Sequence, residues 1–572
     1  MTDLAFRPPA TRRVRLPARR GGVFVLAAAA VALLVLLPVL ALIEIAAQGS
    51  GDLWPHLIEN VLPVALQQTL LLLLGVGVLT TLMAVPCAWL VATCRFPGRA
   101  ALDWALLLPL AVPSYIVAYS YLDVLHPLGP VQSTLRFLLG ISSPRGLRLP
   151  DLRSIGGCIF VLSVVLYPYV YLSARASFLV QSAAALEVAR TLGAGRLRTF
   201  LRIAIPLARP AIVAGVTLAL LETLGDIGAS EFLGMRTLTV SIYTTWVNRS
   251  NLPGAAQIAL VMLLLVLVII LGERAARRSR RFVATGSTRP QAPTQLTGLA
   301  AWGACLFCAL PVLLGFAVPL AHLTLAAAQR IEFSGISLDI LKEARNSALL
   351  ATAGMLVTVS LGLVVAVAQR VDRSRITGAF VRLAGLGYAI PGTVLAIGLL
   401  TPMAAFDNLL DGFTRQLAGV STGLLISGSG GALILAYGIR FLTIPASGVE
   451  AGYAKLSPHL DMAARSLGCT RGAMVRQVHL PLLRTALATA ALIVFVDGMK
   501  ELPATLLLRP LGFETLATHI YAEAARSTYE DGALAALVIV LVGLIPVILL
   551  ARLSRSAAEG AARPSSSSKS GT

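Results

Sequence analysis

The feature that most constrains this chain is a series of twelve apolar stretches, each long enough to cross a lipid bilayer as a helix. One span needs about 20 apolar residues, and stretches of that length recur along most of the 572 residues. They lie near residues 23–46, 66–93, 101–125, 157–180, 207–232, 255–272, 299–321, 347–369, 379–403, 424–447, 482–507 and 532–551. Because the bilayer core offers backbone groups no partners, such stretches fold as helices. The sequence predicts an all-α integral membrane protein with about twelve transmembrane helices.

The composition excludes a soluble enzyme. Hydrophobic residues make up 57% of the chain and charged residues only 13%, whereas soluble domains carry about 25% charged residues. The formal net charge is +20, which in a soluble protein would suggest nucleic acid. Here the arginines lie between apolar stretches, so we expect them to meet anionic lipid and to set the topology, with no nucleic acid partner.

The distribution of basic residues predicts the orientation of the spans. When the connections are assigned alternately to the two sides, 32 of the 47 Lys and Arg residues fall on the side of the N-terminus and 11 on the other. Lys and Arg accumulate in cytoplasmic connections. We therefore expect a multi-pass membrane protein with both termini in the cytoplasm.

A basic, Pro-containing segment divides the spans into two sets of six. The expected organisation is a basic cytoplasmic N-terminus at 1–22, a first half at 23–272, a cytoplasmic linker at 273–298, a second half at 299–553 and a disordered tail at 554–572. The tail ends in a serine-rich, low-complexity stretch, which is typical of disorder.

The two halves are copies of one another. Gly193 and Gly468 are 275 residues apart, as are Pro206 and Pro481, and the sequences around both pairs match. Earlier in each half, the stretch around Pro113 parallels the stretch around Pro391. Duplicated bundles of this kind are typical of transporters, which place their site between the repeats.

The repeated segment resembles the EAA loop of binding-protein-dependent ABC transporter permeases. The first copy carries the motif residues Glu187, Ala189, Gly193 and Pro206. The second copy carries Asp461, Ala464, Gly468 and Pro481, with Met462 in the glutamate position and the acid one place earlier. An ordinary amphipathic helix at the membrane surface is the alternative for a single copy, but two copies in register favour the family motif.

The resemblance implies partners. In this family each loop docks into a groove of an ATPase subunit, and a periplasmic binding protein delivers the substrate to the permease in the bacterial inner membrane. The glycine of each loop permits a sharp turn between two short helices. A phosphate-binding loop needs Gly-Lys-Ser/Thr, and none of the four lysines of this chain follows a glycine. We expect a separate ATPase, a homodimer because both loops are present here, that binds the ATP and Mg. The chain itself is expected to need no cofactor and to carry no catalytic residue.

The substrate is suggested by residues 497–517, which resemble the ferric-iron branch of these permeases, as do the fused halves and the Phe96–Arg99 stretch. The resemblance implies import of Fe(III) by ATP-driven alternating access. Fused or related permeases for thiamine, phosphonate, sulfate or polyamines are the alternatives. Two rival classes are a secondary transporter, which would lack an associated ATPase, and a membrane scaffold or channel, which would show no energy-dependent accumulation.

Five ionisable residues fall inside apolar stretches, and the four acids among them form two pairs at matching positions of the two halves. They are Glu222, Asp226, Asp497, Lys500 and Glu501. A charge at the bilayer centre costs at least about 2.5–3.5 kcal/mol, so such residues face a partner or a wet cavity. One hypothesis places them along the path of a hard cation, which prefers oxygen ligands. The other pairs the acids with Lys500, Arg236 or Arg440, or uses them to cap broken helix ends. No firm metal-ligand set is evident.

Overall fold

The computed structural model describes residues 22–143, 145–181, 195–278, 293–335 and 337–562, and these parts of the chain are mainly helical. Within these described ranges, ten helices are long and apolar enough to cross a membrane, and two bent helix pairs raise the number of spans to as many as twelve. The ten are Gly22–Ala47, Leu53–Thr93, Ile155–Leu179, Leu197–Gly225, Leu252–Arg277, Gly298–Phe333, Leu338–Val371, Gly392–Ala418, Arg471–Met499 and Tyr529–Leu549. The predicted all-α membrane fold in two repeated halves is confirmed.

Shorter helices complete the two halves. They are Pro130–Leu138, Gly228–Phe232, Leu238–Val247, Arg375–Ala384, Pro458–Ser466, Pro503–Leu508 and Leu516–Arg526. The bent pairs are Arg99–Ala111 with Ser114–Val124, at 92°, and Gly431–Arg440 with Thr443–Ala454, at 44°. The larger bend lies at Pro113, whose ring cannot follow an ordinary helical turn.

In the part of the chain that the structure describes, four helices widen into a π-helical turn that ends two residues before a proline. The turns are Leu57–Val61, Phe200–Ala204, Leu313–Ala317 and Val475–His479, before Pro63, Pro206, Pro319 and Pro481. A proline removes one backbone donor and crowds the preceding turn, and a wider turn relieves both problems. The helices that contain Pro206 and Pro481 therefore begin upstream of these prolines, at Arg196 and Arg471.

The first helix of each half packs against the other half. Gly22–Ala47 packs on the second half, where Gly398 lies against the backbone of Pro38. Reciprocally, the first helical segment of the second half packs on the first half, where Gly315 lies against the backbone of Val164. Each close approach needs a glycine because a Cβ would overlap a carbonyl oxygen. The halves are thus interlocked.

A short parallel pairing joins the linker to the first half. Cys94–Arg95 pairs with Thr294–Gln295, and the Leu296 N–H donates to the Arg95 carbonyl oxygen over 2.9 Å. The connection that follows the second span and the end of the linker therefore lie on one side of the helix bundle. The topology predicted from the basic residues requires this.

The helices at the segment boundaries run further than the predicted limits of the halves. Leu252–Arg278 passes residue 272, and Tyr529–Ala562 passes residue 553, because Ala, Arg and Leu continue to favour the helix. The N-terminal residues 1–21, most of the linker (279–292) and residues 563–572 lie outside the described residues. The proposed segment boundaries stay predictions.

Replacement of Gly398 by valine should loosen the interlocked halves. The added side chain meets the Pro38 backbone, and overpacking of this kind costs about 1–3 kcal/mol. The measurement is the melting temperature of the detergent-purified protein, which we expect to fall. Gly412→Val, on the same helix with open space around it, is the matched control. An equal fall in both variants would contradict the packing argument.

Candidate functional site

A cavity of about 150 Å³ lies between the two halves, and all five ionisable residues singled out in the sequence line it. Glu222 belongs to the helix Ile205–Gly225 and Asp226 follows its end. Asp497 belongs to the helix Leu480–Met499, which ends directly before Lys500 and Glu501. The break points Pro113 and Pro391 line the same cavity. The duplicated frame therefore brings matching positions of both halves to one central space.

The first-half acid Asp226 stands where a helix breaks and restarts. Its backbone is extended, and its Oδ1 accepts from the Ser230 N–H over 3.1 Å, in the short helix Gly228–Phe232. Gly228 is required here because a Cβ would lie 2.5 Å from Tyr115 Cβ and 2.9 Å from Leu502 Cδ2. Asp226 thus caps a helix and faces the cavity at once.

Its second-half counterpart, Glu501, caps a helix in the same way. Its carboxylate accepts from the Ala504 N–H at 2.9 Å, the Thr505 N–H at 3.0 Å and the Thr505 hydroxyl at 2.8 Å. Arg440 Nη1 lies 3.3 Å from Glu501 Oε1, and the Glu501 side chain is only 2% exposed. This acid is therefore held by both a helix N-terminus and a cation.

The two halves stabilise their matching acids, Asp226 and Glu501, with different partner residues. In the first half the Ser114 hydroxyl donates to Asp226. The residue that matches Ser114 after the duplicated proline is Gly392, where a Cβ would overlap the Arg440 guanidinium. Because Gly392 leaves this space open, Arg440 reaches Glu501. The first-half acid thus has a neutral partner and the second-half acid a charged one.

The other two acids also differ in their partners. Lys500 Nζ lies 2.9 Å from Asp497 Oδ1, whereas the Tyr388 hydroxyl donates to Glu222 Oε1 over 2.9 Å. Four carboxylates and two cations, Lys500 and Arg440, line the cavity, which therefore carries two more negative than positive formal charges. The acids therefore form ion pairs with Arg440 and Lys500 and cap helix ends, as the second hypothesis expects. The same acids also line the central cavity.

Some lining residues were not predicted as site residues. Tyr169 and Tyr388 were missed, and Arg440 entered only as an alternative partner. Tyr388 lies three residues before Pro391, so the duplicated proline motif could have pointed to it. Arg236 does not line the cavity. Its backbone N–H donates to Gln68 Oε1 over 2.6 Å, away from the acids.

The cavity contains no preformed metal cage. Among residues 22–562, apart from the gaps already given, no three His, Cys, Asp or Glu side chains converge closely enough to hold a metal ion. The acids are instead spread around the cavity and held by helix ends, hydroxyls and cations. Such an arrangement supplies negative potential and oxygen atoms for weak, transient contacts.

The two predicted docking loops are described to different extents. Glu187, Ala189 and Gly193 lie outside the described residues. The second loop contains the helix Pro458–Ser466 and turns at Gly468, whose φ of +81° is in the left-handed region. The sharp turn that the glycine pattern predicts is present there.

The second loop exposes apolar side chains and hides its acid. Met462 is 54% exposed and Leu467 84%, whereas Ala464 is buried. The Asp461 carboxylate is directed at Arg370 Nε, 3.0 Å away, and at His479 Nε2, 3.1 Å away. Its role as a docking residue stays a prediction, as do the docking roles of the other loop residues.

Comparison with known proteins adds to this geometry. Residues 77–281 match the profile of a family described as the binding-protein-dependent transport system inner membrane component. The chain is 27% identical over 493 residues to the Fe(3+)-transport system permease protein FbpB 2 of Haemophilus influenzae, covering 85% of this chain and 89% of that protein.

Two further relatives match single halves. The molybdenum transport system permease protein ModB of Escherichia coli is 32% identical over 224 residues, covering 37% of this chain and 94% of that protein. The spermidine/putrescine transport system permease protein PotB of the same organism is 29% identical over 199 residues, covering 34% and 71%. The relatives agree in being transport permeases and differ in the solute in their names.

Removal of the Glu501 carboxylate should destabilise the protein strongly. Glu501→Ala leaves the Arg440 cation and the buried donors of Ala504 and Thr505 without their acceptor, and loss of one partner of a buried ion pair costs about 3–5 kcal/mol. Among the described residues, the Glu222 carboxylate accepts a hydrogen bond from Tyr388 alone, so Glu222→Ala is the control. The measurement is the melting temperature of each variant in detergent, which should fall much further for Glu501→Ala than for Glu222→Ala. Equal losses would contradict the capping role.

Proposed function

Because this chain belongs to the family of binding-protein-dependent transport system inner membrane components, we propose that it is the permease of an ATP-driven importer of Fe(III). The observation that carries the proposal is the cavity between the halves, in which four carboxylates face two cations. The relative whose name includes Fe(3+) transport aligns with both halves, whereas the molybdenum and polyamine relatives align with single halves.

The charge of the cavity supports a cationic substrate. An oxyanion such as molybdate, sulfate or phosphonate would meet an excess of carboxylates, which repel it. A hard cation prefers carboxylate oxygens, and the spread of the acids permits weak binding and release. A polyamine is also positively charged, and one relative of this chain is named for spermidine/putrescine transport. Polyamine import is therefore the second candidate function. Thiamine is a further cationic alternative.

The mechanism follows from the path between the loops and the cavity. In the second half the exposed apolar residues Met462 and Leu467 suit a partner protein, and the loop leads into Leu480–Met499, whose end carries Asp497. Closure of the ATPase dimer would draw the two loops together and turn the cavity outward. ATP hydrolysis would return it to the inward-facing state.

The proposal assigns the partners and sides as follows. The termini, the linker and both loops face the cytoplasm, and a periplasmic binding protein delivers the substrate to the other face. The ATPase is a separate homodimer that holds the ATP and Mg, and the permease contributes no cofactor and no covalent chemistry. A secondary transporter, in contrast, would purify without an ATPase and would accumulate solute without ATP.

The substrate assignment predicts a specific loss of iron uptake. Deletion of this chain should abolish saturable uptake of radiolabelled Fe(III) by iron-starved cells, and the Glu222→Gln, Asp226→Asn variant should lower it at least about tenfold, because it neutralises both first-half acids. Glu332→Gln, an exposed acid away from the cavity, is the control.

The same experiment includes excess molybdate, spermidine, thiamine and phosphonate as competitors. The proposal requires that they leave iron uptake unchanged. Competition by spermidine together with normal iron uptake in the deletion strain would move the substrate to polyamines. The permease assignment would stand in that case because it rests on the family.

The loops predict a second result. Valine at both Gly193 and Gly468 should abolish uptake while the protein remains in the membrane, because a β-branched residue is strained at the left-handed turn of Gly468. Immunoblots of membrane fractions and uptake assays measure the two quantities. Gly472→Val, at an open position of the adjoining helix, is the control. Normal uptake in the double variant would contradict the coupling role.

A further inference from the structure

The acid of the second loop is held inside this chain. Asp461 lies in the first turn of the helix Pro458–Ser466, and its Oδ2 is 3.0 Å from Arg370 Nε at the end of the helix Leu338–Val371. Arg370 Nη2 also donates to the Leu456 carbonyl oxygen over 3.4 Å. One guanidinium therefore ties the loop to a membrane helix at two points.

A histidine completes the arrangement. His479 Nε2 is 3.1 Å from Asp461 Oδ1, and His479 Nδ1 is 3.0 Å from the Tyr453 hydroxyl. A neutral imidazole satisfies both contacts, with Nε2–H donating to the carboxylate and Nδ1 accepting from the phenol. The Arg370 guanidinium lies 5.5 Å from the centre of the Tyr453 ring. We call Arg370, Tyr453, Asp461 and His479 the polar clamp.

Burial makes these contacts stronger than an exposed ion pair would be. The side chains of His479, Arg370 and Asp461 are 1%, 9% and 16% exposed. Burial acts to raise the pKa of the Asp461 carboxyl, but hydrogen bonds from His479 and Arg370 outweigh it, and the pKa is lowered. The carboxylate is thus saturated by its own chain and offers little surface to a partner.

The duplication provides an internal comparison. At the positions that match Arg370, Tyr453, Asp461 and His479, the first half carries Ala92, Phe178, Leu186 and Ala204. Four apolar residues are therefore replaced together by four polar ones. In the first half the corresponding region is packed by Trp89, whose ring centre lies 5.3 Å from that of Phe178 and 5.4 Å from that of Phe200.

The clamp connects the loop to the cavity. His479 is followed directly by the helix Leu480–Met499, which carries Asp497 at the cavity. We propose that Asp461 is a positioning residue, which holds the loop helix Pro458–Ser466 on the membrane helices so that its movement reaches the cavity, and that it does not contact the ATPase. The transmission part rests on the proposed function. The first half, by contrast, has no polar residue at the four matching positions.

The first test needs neither ATPase nor substrate. Hydrogen exchange of the backbone amides of residues 457–470 is measured in the purified full chain, for the parent and for Asp461→Asn. The asparagine loses the charge that pairs with Arg370 and turns a donor toward the clamp, so exchange should quicken at least about threefold. Glu450→Gln, which changes an exposed acid on the same side that is paired with Gln369, should leave the exchange unchanged.

The second test measures coupling in proteoliposomes with the ATPase and the binding protein. Asp461→Asn should raise the ATP hydrolysed per Fe(III) transported at least about threefold, while the affinity of the permease for the ATPase stays within twofold of the parent. Arg370→Gln should give the same change, and the double variant should add little to either. A merely structural role would lower the amount of protein without altering this ratio.

The outcomes separate the two proposals. Unchanged exchange, or a loss of ATPase affinity in Asp461→Asn, would overturn the positioning role and restore Asp461 as a docking residue. An unchanged ratio of ATP to Fe(III) would also overturn it. If the parent itself shows no ATP-driven Fe(III) uptake, the proposed function fails, and the exchange experiment still decides whether Asp461 holds the loop.

Discussion

A charge inside a membrane protein persists only where the protein itself supplies a partner, and the centre of this structure depends on that constraint. Asp226 and Glu501 are retained between the halves because broken helices direct backbone N–H groups at them. The breaks lie at matching positions of the two halves, although Gly225 and Gly228 flank the first and Lys500 and Pro503 flank the second. The cavity and its acids are therefore consequences of the same interruptions in otherwise regular spans.

Duplication followed by divergence explains why the halves are alike in outline and unlike in chemistry. Ser114 and Gly392 occupy matching positions, and the missing side chain of Gly392 admits Arg440 to the second-half acid. The loops show the same pattern, with aromatic packing in one half and the polar clamp in the other. The second half contributes both cations of the cavity, and the first contributes carboxylates paired only with neutral groups.

The sequence allowed the spans, the duplication and the positions of the cavity acids to be predicted, because each depends on local patterns or on a fixed repeat distance. The hydrogen-bond and ion-pair partners of those acids could not be predicted from the sequence. Tyr388 reaches Glu222 across 166 residues, and Arg440 reaches Glu501 across 61. The direction of the Asp461 carboxylate was equally hidden, since Arg370 lies 91 residues away on another helix. Long-range contacts of this kind leave no periodic trace in the sequence.

The central claim is that the cavity between the halves is the substrate path and that its carboxylates select cations. The test uses a variant in which the six native cysteines are replaced and Gly225, a lining position with room for a Cβ, is changed to cysteine. The rate at which thiosulfonate reagents modify this cysteine is measured. A cationic thiosulfonate should react at least about tenfold faster than an anionic one of similar size, because the excess negative charge concentrates cations. When ATP and the ATPase are added, the side of the membrane from which the reagent reaches the cysteine should change. Equal rates for the two reagents, or no reaction from either side, would contradict the claim.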